Sequence, residues 1–214
     1  MKARSVVACL IAAWLLSSNT VAGTGPKGEA TPGSTPVAGE LPGDSLFRLE
    51  IPLETADGVK LPFSSLRGRA LLVTLFYSQC TSVCPMTTAE LQNLERQLPA
   101  EARANVTVLM VSLDAARDTP AALKKFVQEH HMEDPRWIVA RVSASDVRVF
   151  AAALGVRYRE LPDHTFNHST VITLTDPEGV IQARAAGWQN VDEGFLRKLR
   201  AIGATGPASP ADGG

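Results

Sequence analysis

Two cysteines four positions apart, Cys80 and Cys84, and a histidine far downstream, His168, are the residues of this chain whose types could work together chemically. A thiolate is a nucleophile towards disulfides and a soft ligand for metals, while a neutral imidazole is a borderline ligand or a base. The segment Ser78-Gln79-Cys80-Thr81-Ser82-Val83-Cys84-Pro85-Met86 puts three residues between the thiols, one more than a thioredoxin-type redox motif. Pro85 disfavours the α conformation at Cys84 and suits the first helical position; Thr87 with Glu90 offers a rival start as a capping box. Either start puts both sulfurs on a loop leading into a helix N-terminus, where the dipole favours thiolate. Such a loop can close a Cys80–Cys84 disulfide if the Cα atoms approach within about 7 Å, or hold both sulfurs open around an ion. The plainer reading is a disulfide that only staples the loop, but closing so short a loop gains little entropy.

The elements that must position these groups follow from apolar patterning. Residues 70–77 (ALLVTLFY) and 106–113 are nearly unbroken apolar runs, as expected for strands buried on both faces. Before them, 47–53 and 59–63 read as strands around an Asp57-Gly58 turn. Helices are expected over about 86–97, from Pro120 with Thr119 as cap, over 144–154, and over about 191–202. A strand is expected over 137–142, and 171–175 with 180–184 read as a hairpin around Asp176-Pro177-Glu178-Gly179. This order predicts an α/β protein of thioredoxin-like fold, a mixed central sheet flanked by helices with an N-terminal β-hairpin extension.

In that fold the loop before the strand at Val171 faces the thiol loop, so a histidine there can approach both sulfurs. His168 is the candidate ligand. His164, in the same segment, is the weaker one, and His130 and His131 read as ordinary helix-end residues. Two thiolates and one imidazole suit Cu(I) and also accept Cu(II) or zinc; a structural zinc would want four closed ligands, with His164 as the fourth. Asp114 and Asp118 read as helix-start caps, and Met86 as a core residue.

The ends of the chain carry a different message. Lys2 and Arg4, an apolar run from Val6 to Leu16 that includes Cys9, and the small residues before Gly23 have the layout of a secretory signal peptide over 1–22, with an uncleaved anchor as the alternative. Residues 23–45 read as a flexible Gly/Pro-rich linker, 46–203 as the folded domain and 204–214 as a disordered tail. The expected location is the periplasm or the extracytoplasmic face of a membrane, with membrane attachment only if the leader is retained. A formal charge of -1 without a basic cluster gives no reason to expect nucleic acid.

These residues resemble the Sco/SenC family of copper-binding thioredoxin-fold proteins. The resemblance rests on Ser65-Leu66-Arg67-Gly68, Cys80-x-x-x-Cys84-Pro85, Val111-Ser112-Leu113-Asp114 with Arg117-Asp118-Thr119-Pro120, His168-Ser169, and Asp176-Pro177-x-Gly179. Family members often have Cys-Pro where this chain has Cys80-Thr81, and Asp where it has Asn167. The resemblance implies an extracytoplasmic copper chaperone with Cys80, Cys84 and His168 as copper ligands. Its implied partners are the copper-receiving subunit of cytochrome c oxidase and a thiol reductant. The other readings are a thiol–disulfide oxidoreductase using Cys80 and Cys84 with His168 as accessory base, and, more remotely, a peroxide-reducing relative on the same fold.

Overall fold

The computed structural model describes residues 40–205. The expected leader with Cys9, most of the linker, and the tail beyond Thr205 lie outside the described residues. No described helix is long and apolar enough to cross a membrane.

The chain forms β1 (Pro52–Thr55), β2 (Lys60–Pro62), β3 (Ala70–Phe76), α1 (Val83–Arg96), α2 (Ala100–Ala104), β4 (Val106–Ser112), α3 (Pro120–Glu129), β5 (Trp137–Arg141) and α4 (Ala144–Leu154). These are followed by β6 (Tyr158–Glu160), β7 (Phe166–His168), β8 (Val171–Thr175), β9 (Ile181–Ala186) and α5 (Glu193–Thr205). Seven strands make one sheet in the order β2-β1-β5-β4-β3-β8-β9, and β6 with β7 make a separate two-stranded ribbon. β3, β4 and β5 run parallel; β8 joins β3 antiparallel, and β1 with β2 forms the expected antiparallel hairpin beside β5. This is the mixed sheet with flanking helices that the order of elements predicts.

Alternation along the central strands sorts their side chains onto two cores. Leu72 and Phe76 of β3 join Val108 and Met110 of β4 under Leu91 and Leu94 of α1, Leu123 and Phe126 of α3, and Phe195 and Leu199 of α5. Leu71, Val73 and Leu75 point the other way, onto Phe63, Val147, Phe150 and Leu154. α3 and α4 have local reasons to begin or end. Thr119 accepts the Ala122 N–H at the start of α3, and Ser143 accepts the Asp146 N–H at the start of α4. Gly155, at φ 73°, stops α4.

Three local expectations need correction. The segment 47–53 is not one strand: Ser45 caps a 3-10 turn at Leu46–Arg48, and pairing begins only at Pro52. α1 starts at Val83, so Cys84 and Pro85 lie inside its first turn; a proline is tolerated there because first-turn N–H groups have no helical acceptor. The expected capping box is absent, since Thr87 donates its hydroxyl to the Val83 carbonyl within the helix.

Candidate functional site

β3 delivers Tyr77 and the cysteine loop to the edge of the sheet, where α1 begins. Cys80 is 7% exposed and Cys84 2%, and both are free thiols packed within the α1-side core. The Cys84 backbone N–H points at the Cys80 sulfur, 3.4 Å away. Cys80 therefore takes the place of an N-terminal cap, where a negative sulfur meets N–H groups that the helix leaves without acceptors.

The second arm is the β6–β7 ribbon. Tyr158 pairs with His168 and Glu160 with Phe166. The ribbon lays Phe166 on Tyr77, with ring centroids 5.3 Å apart, and stands His168 edge-on to Tyr77 at 6.1 Å. His168 thus sits on a strand and not, as the sequence predicts, in a loop. Its Nδ1 lies 3.3 Å from the Ser169 carbonyl oxygen.

Electrostatics make Cys80 the hub. Its thiol is pulled down to about 3, first by a hydrogen bond from the Cys84 thiol, against the cost of burial, and then by hydrogen bonds from His168 and from the Ser82 and Cys84 backbone. Cys84 is pushed far up by that same hydrogen bond and by burial, and the charges of Cys80 and Asp118 push it further. Tyr77 is raised by burial and by the negative charge of Cys80, to which it is also hydrogen-bonded. The two cysteines therefore share one proton, residing on Cys84. In the reduced, metal-free protein one thiolate's ultraviolet absorbance should persist well below neutral pH, and the second should appear only above the ordinary thiol range. Two thiolates appearing together near pH ~8.5 would contradict this arrangement.

Of the predicted site residues, the structure sets Cys80 and Cys84 against each other, with the Cys84 N–H on the Cys80 sulfur, and His168 edge-on to Tyr77, whose carbonyl accepts the Cys80 N–H. Among the described residues no three His, Cys, Asp or Glu groups stand gathered tightly enough to hold an ion. The donor set nonetheless fits a soft ion: two sulfurs and an imidazole face one another at a mouth that already stabilises negative charge.

His164, the weaker candidate, has φ 62°, turns outward and pairs with Glu160 at 2.8 Å, its side chain 71% exposed. Other expectations fail. Met86 is 50% exposed and is not a core residue, because the helix face opposite Cys84 looks to solvent. Asp114 and Asp118 are not helix caps, since Thr119 fills that position; both carboxylates are buried in the turn before α3. Sequence reasoning also missed Tyr77, whose only signal is its place between the buried strand and the first cysteine.

Comparison with known proteins agrees with this fold. The SCO1/SenC family profile matches residues 47–202. The SCO1 protein homolog of Bacillus subtilis is 27% identical over 141 residues, covering 64% of this chain and 72% of that protein. The copper-bound structure of Bradyrhizobium japonicum ScoI superposes with a TM-score of 0.61 at 22% identity, covering 71% of this chain and 96% of the other. BsSco, described as a member of the Sco family of cytochrome c oxidase assembly proteins with a disulfide switch, superposes with a TM-score of 0.61 at 23% identity, covering 72% and 91%. At these identities the structural matches establish the fold.

Proposed function

The chain belongs to the SCO1/SenC family, and on that footing we propose that it is an extracytoplasmic copper carrier that holds one ion through Cys80, Cys84 and His168. It delivers the ion to the copper-receiving subunit of cytochrome c oxidase. The observation that carries this reading is the convergence of the cysteine loop and the β6–β7 ribbon on Tyr77, which sets His168, remote in sequence, beside the Cys80–Cys84 pair. A related protein with copper bound, and another described as an oxidase assembly protein, supply the cargo and the client. Export is read from the N-terminal sequence.

The shared proton shapes the chemistry. Cys80 already offers a thiolate, and a small advance of the β6–β7 ribbon brings His168 within bonding distance of an ion resting on it. Cys84 must give up its proton to become the second sulfur ligand, so loading with Cu(I) releases about one proton per ion near neutral pH. Delivery reverses the sequence: a partner's thiolate replaces one sulfur, Cys84 is reprotonated, and the ion leaves by ligand exchange.

Titration of the reduced protein with Cu(I) against a competing chelator tests this. The expected result is one ion per chain and one proton released, measured by calorimetry in buffers of different ionisation enthalpy, followed by transfer to the metal-free copper domain of oxidase subunit II. Absence of stoichiometric binding would reject the reading.

The same thiolate favours a second reading as a thiol–disulfide oxidoreductase. Cys80, the more exposed thiol, attacks a partner disulfide and frees one partner thiolate. Cys84 then loses its proton and attacks the Cys80 sulfur, releasing the second partner thiol and leaving a Cys80–Cys84 disulfide. The partner gains two electrons and this protein loses two. Disulfide reduction that persists in His168→Ala without metal would favour this reading; copper transfer that depends on His168 favours the carrier.

A further inference from the structure

The ribbon carrying His168 is a sheet of its own and shares no strand pairing with β3, the strand that leads into the cysteine loop. Tyr77 stacking joins the two arms at one point, and the connection from β4 to α3 ties them at a second. At one end Asp118, fully buried, accepts the Ser78 backbone N–H at 3.0 Å and the hydroxyls of Ser78 and Ser112. Ser78 is two residues before Cys80. At the other end the Arg117 guanidinium donates to the His164 carbonyl and lies 5.9 Å over the ring of Phe166, two residues before His168.

The two ends are tied to each other. Asp114 accepts the Arg117 backbone N–H at 3.0 Å and its Nε at 2.5 Å, while the Asp114 N–H donates to the same Ser112 hydroxyl that Asp118 holds, at 2.9 Å. Starting α3 does not require this arrangement, since Thr119 already caps it. Burying two carboxylates is costly unless their partners are fixed. What the network fixes is the cysteine loop on one side and the histidine ribbon on the other.

We propose that Arg117 and Asp118 are positioning residues, two ends of a bracket that sets the separation of His168 from the Cys80–Cys84 pair. Asp118 acts through the cysteine loop and Arg117 through His168. The importance of that separation for an ion rests on the copper-carrier reading; the bracket itself is testable without metal.

The first measurement uses the reduced, metal-free protein. The His168 ring resonances should differ between wild type and Cys80→Ser, and this difference should collapse in an Arg117→Ala background, because the ring no longer stands at the sulfur. Asp118→Ala should shift the equilibrium of the Cys80–Cys84 pair with glutathione, an effect that Arg117→Ala should not reproduce. In copper binding, Arg117→Ala and Asp118→Ala should each weaken Cu(I) affinity roughly 10–100-fold, whereas Asp118→Asn, which keeps one acceptor oxygen for the Ser78 N–H and loses the other, should weaken it less than Asp118→Ala does. Arg117→Ala should add nothing once His168 is already alanine. The bracket is overturned if folded Arg117→Ala leaves the His168 response intact, or weakens copper equally with and without His168. Should Asp118→Ala fail to fold, Arg117→Ala and Asp118→Asn still decide. If wild type binds no copper the carrier reading falls, while the resonance experiment judges the bracket independently.

Discussion

Cys80→Ser should weaken Cu(I) binding on the order of 10³-fold, the loss of a soft ligand worth about 4 kcal/mol, and should do more damage than any other single change at the site. The reason is its central place. Cys80 is the sulfur that accepts from Cys84, from His168 and from the N-terminus of α1. Serine keeps the size but its hydroxyl stays neutral at any working pH, so the helix N-terminus loses its anion and the ion loses its first anchor. His168→Ala should behave differently. Two sulfurs can still hold Cu(I), which accepts two-coordinate dithiolate ligation, so its affinity should fall only roughly 10–100-fold, whereas Cu(II) retention should collapse without the imidazole. Competition titrations with both oxidation states on both variants give the comparison. Equal losses of Cu(I) in Cys80→Ser and His168→Ala would remove Cys80 from the central role.

The parts legible in the sequence are those written in long patterns. β3 and β4 announce themselves as apolar runs because they are covered on both faces, and all seven residues of each are buried. α4 is readable to the residue because Ser143 and Gly155 frame it. The ribbon that carries His168 is not legible: two strands of three residues, mixed in polarity and held by Tyr77 stacking, carry too little periodicity to register. The cysteine pair was evident from spacing and the choice of His168 from its expected position across the sheet. The division of labour between the thiols was not, because it depends on which sulfur caps α1 and which is sealed beneath it. The role of Asp118 is not legible for a similar reason. Its neighbour Thr119 is a better cap, and the buried partners that claim its carboxylate, Ser78 and Ser112, lie on separate elements.

The shared proton should also appear in the stability of the reduced, metal-free protein, as a maximum near the ordinary thiol range of about pH 8.5. Below that range the unfolded pair carries two protons and the folded pair one, so stability rises with pH, by at most about 1.4 kcal/mol per unit, down to the region where Cys80 itself protonates near 3. Above it the unfolded pair carries none while folded Cys84 keeps its proton, so stability falls as pH climbs towards the elevated Cys84 value. The Cys80 contribution is thus present in full above the ordinary thiol range and lost on acidification; that of Cys84 is present below the range and lost in alkali. The carboxylates and histidines are common to wild type and Cys80→Ala/Cys84→Ala, so comparing the two isolates the cysteines together with Tyr77, which the Cys80 charge raises. The difference between the two denaturation curves, measured from pH 5 to 10 with reductant present, should therefore be a dome. A flat difference would mean that the sulfurs titrate independently and that Cys80 does not stand as a preformed thiolate waiting for an ion.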